Sequence, residues 1–388
     1  MKLITAGESH GPGVLAIIEG LPAGVPVKRE RIERELARRR EGYGRGPRMA
    51  LEKDSVEILS GVLHGSSIAS PLTILIRNTE WETWRRELYE AEPEAVRAEL
   101  LPRVPRPGHA DYAGAVKYAF SNVRPVIERS SARATAALVA AGAIFKEFLE
   151  GVGIRIGSVV CAVGPEEINV PEFGSYEELV SKTSGEFRTI SEDAHRRFRR
   201  VVDEAVAQGT TVGGLVEVMA FGCPPGLGTY AAFDERLDGK IAGALMAIPS
   251  VKGVEIGNAA DVRRAFGRDA MDAFVLEDGS VRRASNRMGG IEGGMTNGEP
   301  IRIRLHVKPV PTQKAPLASI DILEKEPRES FYERSDVCVV PAVGVIAEAV
   351  LAYVLAREAL RQFGGSTYDD FRESFERYTR RIGWRSRE

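Results

Sequence analysis

The chain has 388 residues, a formal net charge of −2, and 43% hydrophobic against 28% charged side chains. That length allows one large domain or two of ordinary size, and a charge balance so near zero supplies no global attraction to nucleic acid or to an anionic membrane surface. The three cysteines, Cys161, Cys223 and Cys338, are scattered and form no CxxC pair, which argues against a disulfide framework and a structural zinc site.

The first residues, Met1-Lys2-Leu3-Ile4-Thr5-Ala6-Gly7, contain no signal-peptide core. Residues 14–18 read as a strand and Gly20-Leu21-Pro22-Ala23-Gly24 as a turn. A helix is predicted over 30–40, with Ile32 and Leu36 on one face and Gly42 as its stop. Strands are predicted at 56–59 and 72–76, and the charged stretch 80–101 reads as a surface excursion. Residues 131–149 are alanine-rich and apolar nearly all round, which marks a buried helix ended by Gly151. Strands follow at 154–163, 215–221 and 301–308. In the last, Ile301, Ile303, Leu305 and Val307 alternate with Arg302, Arg304, His306 and Lys308, the pattern of a half-buried antiparallel strand. A second long apolar helix is predicted over 343–363, closed by Gly364-Gly365. Of the apolar stretches, 134–145 is too short to span a bilayer and 337–355 is interrupted by Pro341 and Glu348. These features give the expectation of a cytoplasmic protein outside the membrane.

A weak internal repeat runs through the chain. Gly20–Gly24 matches Gly222-Cys223-Pro224-Pro225-Gly226, and Arg106-Pro107 matches Lys308-Pro309, both 202 positions downstream. Glu128-Arg129-Ser130-Ser131 matches Glu333-Arg334-Ser335-Asp336, and Ile32 and Leu36 match Leu237 and Ile241, 205 positions downstream. Four matches in one order imply two related halves, roughly 1–150 and 151–388. Their buried helices are too apolar to face water and belong between sheets. The expected fold is therefore α+β: a β-α-β layered sandwich of antiparallel sheets enclosing helices, with a pseudo-two-fold relation, forming a single domain over 1–388. Two independent domains are the alternative.

Two of the five histidines lie in glycine-containing polar strings, Gly7-Glu8-Ser9-His10-Gly11 and Arg106-Pro107-Gly108-His109-Ala110-Asp111-Tyr112. Glycine lets backbone approach a ligand, and imidazole exchanges protons near neutral pH. The loop Gly42-Tyr43-Gly44-Arg45-Gly46-Pro47-Arg48 can wrap guanidinium groups around anionic oxygens. Arg129-Ser130-Ser131-Ala132-Arg133 reads both as a helix cap and as a phosphate site, and Asp336 both as a cap and as a proton acceptor. The glycine-rich run 288–298 is either a plain hairpin or a floor for a flat ring; Lys308-Pro309-Val310-Pro311-Thr312 is a rigid polar edge. His64, His195 and His306 read as solvated or structural. There is no P-loop, no GxGxxG after a strand and no HExxH. These residues describe a site for a small, multiply anionic, phosphorylated substrate and a flat cofactor. An RNA-binding helix over 29–40 conflicts with the net charge and the lack of interleaved aromatics; a phosphatase or phosphotransferase would lack a metal cluster and a nucleotide loop.

Seven segments, 7–11, 39–49, 106–112, 129–133, 286–298, 308–312 and 334–338, resemble the chorismate synthase family in family order, with Glu80 standing where the family's Asn-x-Asp stretch has aspartate. The resemblance implies a lyase reaction, the 1,4-trans elimination of phosphate from 5-enolpyruvylshikimate 3-phosphate to give chorismate. It implies reduced FMN as cofactor, with no net redox change, and a homotetramer in the cytoplasm. Residue by residue, it implies that His10 protonates the departing phosphate, that His109 protonates or polarises the flavin, and that Asp336, with a nearby serine, moves a proton toward flavin N5. Arg129, Ser130, Ser131, Pro249, Ser250, Gly293, Lys308, Pro309, Val310, Pro311, Thr312 and Arg334 match flavin-contacting positions. Arg39 and Arg45 match positions assigned to NADP, and substrate anions are their alternative ligands. Ser9, Arg48, Arg106 and Arg133 are expected to hold substrate. With no reductase segment to point to, reduced FMN is expected from an external flavin reductase, with NADPH as the reductant to consider.

Overall fold

The computed structural model describes residues 1–46, 54–277, 279–333 and 335–384. Strands β1 (Lys2–Gly7), β2 (Gly13–Glu19), β3 (Val56–Ser60) and β4 (Leu72–Arg77) form one antiparallel sheet in the order β1-β2-β4-β3. Strands β5 (Arg155–Val163), β6 (Gly214–Phe221), β7 (Val251–Ile256) and β8 (Ile301–Val307) form a second in the order β5-β6-β8-β7, extended past β5 by the two-residue strand Glu166–Glu167. Counted within each half, the order is first, second, fourth, third in both sheets.

The connections repeat as well. Helix α1 (Arg29–Arg40) follows β2. Two short helices, α2 (Asp111–Tyr118) and α3 (Arg124–Ser130), precede the long helix α4 (Thr135–Glu150). In the second half, α5 (Leu237–Met246) follows β6 and the long α6 (Val340–Phe363) comes after β8. The turns that leave β2 and β6 share their backbone: φ is 75° at Gly20 and 77° at Gly222, then 87° at Gly24 and 89° at Gly226. Side chains with a Cβ disfavour that left-handed region, so the matched glycines mark one turn used twice.

Helix α4 packs on the first sheet, α6 on the second, and the two helices pack on each other. Gly142 makes this possible: a Cβ there would stand 2.2 Å from Ala349 Cβ. One hydrophobic cluster runs from Val14 and Ile74 through Phe145 and Leu351 to Val218 and Ile303, so both halves contribute to the same core. α6 has the length and apolarity of a membrane span, yet 89% of that window is buried inside the protein. Pro341 does not interrupt it, because it occupies the first turn, where no N–H is needed.

Glu348, on α6, is fully buried and paired. Arg38 donates to both its oxygens (2.8 and 2.9 Å), and Lys146 and Ser158 donate to it as well. Burial alone would push its carboxyl up, but these cations hold it below the ordinary carboxylate range. The polar face of β8 is also less exposed than its alternation implies: Arg302 is buried and, with Arg304, binds the fully buried Glu217 of β6. The cysteines are free and buried, with the Cys223 and Cys338 thiols pushed up to about 12 by burial.

Candidate active site

The ends of β1, α1, α3 and β8 and the start of α6 converge on a cavity of about 470 Å³. The first half supplies Ser9, His10, Arg39, Arg45, Arg106, His109, Ser130, Ser131 and Arg133. The second supplies Pro249, Ser250, Lys308, Val310, Pro311, Thr312 and Asp336. An apolar strip completes part of the wall: Ile127, Val339, and Ala342, Val343 and Ile346 from α6, beside Thr135, Glu333 and Ser335. Among the described lining residues, five Lys or Arg side chains face two carboxylates, Glu333 and Asp336, so the cavity favours an anion.

Both histidines are tied through Nδ1 to a buried carboxylate. His10 Nδ1 lies 2.8 Å from Glu128 Oε1, and its main-chain N–H donates to Oε2 at 2.8 Å. His109 Nδ1 lies 2.6 Å from Oδ1 of the fully buried Asp111. An ionised carboxylate only accepts, so each Nδ1 carries a proton and each Nε2 is left for other chemistry. Burial would raise the Asp111 carboxyl, but hydrogen bonds from His109 and Arg106 outweigh it and hold it well below its usual range; Glu128 is likewise lowered, against its burial, by His10.

The arginines divide by what they already hold. Arg106 donates Nε to Asp111 (2.8 Å) and a terminal N–H to Thr312 Oγ1 (2.9 Å), with Glu333 3.5 Å away. Arg133 donates to Asn78 Oδ1 (2.8 Å), to the Arg77 carbonyl (3.0 Å) and to Asp54. Both therefore brace the wall as well as line it. Arg45 pairs with Asp336 at 2.9 Å, and the Gly46 N–H donates to Asp336 at 2.6 Å, a clasp between the halves. Asp336 does not cap α6, whose cap residue is Val339. Lys308 donates to the Gly108 carbonyl, and partial burial, then Lys252, lower its ammonium pKa. Ser250, a cavity residue, has φ 72°, a strained value for a side chain with a Cβ, and its carbonyl accepts from the Lys308 N–H at 2.8 Å.

Several sequence expectations shift. Ser130 closes α3, with its hydroxyl on the Val126 carbonyl (2.6 Å). Ser131 caps a short 3₁₀ turn, Ala132–Ala134, that leads into α4, so neither serine caps the long helix directly. Arg129 is not among the cavity-lining residues; its guanidinium donates to the carbonyl and hydroxyl of Thr5 in β1. The run 288–298 makes the hairpin Ile291–Glu292 with Met295–Thr296, and neither Gly293 nor its described neighbours line the cavity; Pro309 also stays off the wall. Arg48 and Arg334 lie outside the described residues.

Stretch 80–101 is not merely a surface excursion. Trp84 lies against the His10 ring, centroids 3.9 Å apart, and the Tyr89 hydroxyl donates to Glu128 at 3.2 Å. Sequence reasoning gave no role to Trp84, Tyr89, Arg124 or Asp111. Glu128 and Glu333 were visible only as members of the repeat.

A second cleft, of about 510 Å³, lies against the second sheet and includes Arg304, His306 and Lys308. Arg304 there is bound to Glu217 and His306 to Glu255, and neither site histidine reaches it.

The sequence model of the chorismate synthase family matches residues 1–360. The chain is 46% identical to the chorismate synthase of Chlorobium luteolum, covering 97% of each chain, and 45% identical to that of Desulforudis audaxviator, covering 98% of each. A crystal structure of chorismate synthase superposes with a TM-score of 0.79 at 36% identity over 98% of both chains. The chain belongs to the chorismate synthase family, lyases that eliminate phosphate from 5-enolpyruvylshikimate 3-phosphate to give chorismate, the last common step toward the aromatic amino acids.

Proposed function

We propose that the cation-lined cavity is where this elimination occurs, with His10 as the acid for the departing phosphate and His109 as the second proton-handling group. The observation that carries the reading is the matched pair of imidazoles, each anchored at Nδ1 by a buried carboxylate on the wall of an anion-favouring cavity. In the reaction the carbon–oxygen bond to phosphate breaks and a ring proton leaves. A proton from His10 Nε2 neutralises charge gathering on the phosphate oxygen. Arg39 and Arg45 line the same cavity, which supports a role toward the substrate's phosphate and carboxylates rather than toward a separate NADP. Ser9, on the same wall, and Arg48, on the family resemblance, are the further substrate-holding residues.

The donor chemistry fits a reduced flavin mononucleotide. An apolar strip from α6 shares the cavity with Ser130, Ser131, Ser250, Thr312 and Lys308, a mixture suited to a flat ring with polar edges and an anionic tail. These residues, with Pro249, Val310, Pro311 and Arg334, would hold it, and it would lend electron density to the elimination. Asp336, clasped by Arg45 and next to Ser335, is the proton acceptor on that side. Arg129, Gly293 and Pro309 would act from outside the wall.

Family membership supports a homotetramer working in the cytoplasm, fed with reduced FMN by an external flavin reductase that draws on NADPH. The core cluster shared by both halves supports one cooperative domain over 1–388. Limited proteolysis near 180–200 that released two stable folded halves would overturn that.

The deciding test is anaerobic. Purified protein is given 5-enolpyruvylshikimate 3-phosphate with chemically reduced FMN, and phosphate and chorismate are followed together. Stoichiometric release of both, dependent on reduced FMN, is expected. Phosphate release without chorismate would make the chain a phosphatase instead, and equal chorismate formation without flavin would overturn the cofactor reading.

A further inference from the structure

Glu128 grips the His10 loop at three points: His10 Nδ1, the His10 N–H and, through its own carbonyl, the Ser9 N–H at 2.9 Å. The carboxylate is 6% exposed, and its remaining capacity is filled by the Tyr89 hydroxyl and by Arg124 at 3.4 Å. Trp84 covers the imidazole at an interplanar angle of 33°, and Arg124 lies over the same indole, 5.4 Å from the ring centroid. A ring flip of His10 would present a carbon-bound hydrogen to Glu128 and forfeit the charge-assisted bond. The neutral ring is therefore restricted to the tautomer with hydrogen on Nδ1.

We propose that Glu128 is a positioning residue for the elimination: it fixes the Nδ1 proton of His10, so that Nε2 alone exchanges a proton with the leaving phosphate, while Trp84 holds the plane of the ring. This rests on His10 as the acid. Glu128 does not touch the substrate; it acts through His10, as the orienting carboxylate of a hydrolase triad acts through its histidine.

Two measurements test it. Nitrogen-15 NMR of ring-labelled histidine, followed with rising pH until the ring signals stop moving, with the His10 signals identified by their loss in H10A, reads the tautomer directly. The Nδ1–H form is expected in the wild-type protein and a mixed population in E128Q. Anaerobic turnover with reduced FMN is then compared across wild type, H10A, E128Q and H10A/E128Q. E128Q should lose about 10²–10⁴-fold in kcat with KM little changed, and the double variant should be no slower than H10A. Full kcat in E128Q beside a crippled H10A would overturn the role of Glu128 and leave the acid reading standing. A further loss in the double variant would mean that Glu128 acts on the fold rather than through His10. Normal turnover of H10A would refute the acid and Glu128's role with it. If E128Q does not fold, the wild-type tautomer decides by itself: hydrogen on Nε2 overturns the proposal.

Discussion

Glu128 and Glu333 hold the same guanidinium: Arg124 lies 3.4 Å from one and 3.1 Å from the other. The two glutamates are counterparts in the internal repeat, so symmetry-related positions meet at a residue that belongs to neither match. Glu333 also stands 3.5 Å from Arg106, which binds Asp111, which binds His109. Alternating charges thus run from Glu128 through Arg124, Glu333 and Arg106 to Asp111, with His10 at one end and His109 at the other. Every member but Glu333 comes from the first half, and the line is complete only when the second half is docked.

His10→Ala and His109→Ala are each expected to slow turnover by about 10²–10⁴-fold, the range for loss of a general acid. The check is steady-state chorismate formation under anaerobic conditions. Near-normal rates in both variants would remove the imidazoles from the mechanism.

Glu348→Ala strips the partner from Arg38 and Lys146 inside the helical layer. A buried pair broken from one side costs about 3–5 kcal/mol, softened here because Glu35 also binds both cations. The urea midpoint should fall clearly, and an unchanged midpoint would mean that water reaches this cluster.

Gly142→Ala brings a methyl group into Ala349 at the crossing of α4 and α6. Overpacking of this kind costs about 1–3 kcal/mol. Because both helices carry cavity residues at their N-terminal ends, substrate KM should rise along with the loss of thermal stability. The paired variant Gly142→Ala with Ala349→Gly should recover part of both.

Acid should destabilise the fold through Asp111, Glu128 and Glu348, which the native protein keeps ionised below the ordinary carboxylate range. The unfolded chain binds these protons first, near pH 4, so stability is full above about pH 5 and declines as pH drops below about 4. Denaturation midpoints measured at pH 6, 4.5 and 3.5 by urea titration check this, with Asp111→Asn expected to flatten the decline. A flat profile in the wild-type protein would contradict the ion-pair geometry.

The elements and most of the site were legible because their signals are local. Alternation set β8, all-round apolarity set α4 and α6, and the matched glycine turns exposed the repeat. Sixteen of the expected site residues line one cavity. What escaped depends on tertiary contact. Glu128 is 118 positions from His10, and nothing along the chain links them. Trp84 sits in a charged stretch with no periodicity to suggest that it covers a histidine. Arg302 reads as solvent-facing until the register sets β8 beside Glu217. The direction of Arg129 follows from where α3 ends, and a helix that short leaves its phase unmarked.

The shared strand order has a consequence for how such a site can arise. At the same 202-position spacing, His10 and His109 correspond to Val212 and Pro311, so the second copy keeps the scaffold and carries neither imidazole. Two identical copies would present the same wall twice, with imidazoles facing imidazoles and no Lys308 or Asp336 opposite them. The cavity is an asymmetric vessel: both imidazoles stand on the wall from the first half, while the second half closes a berth around them with Lys308, Asp336 and the apolar start of α6.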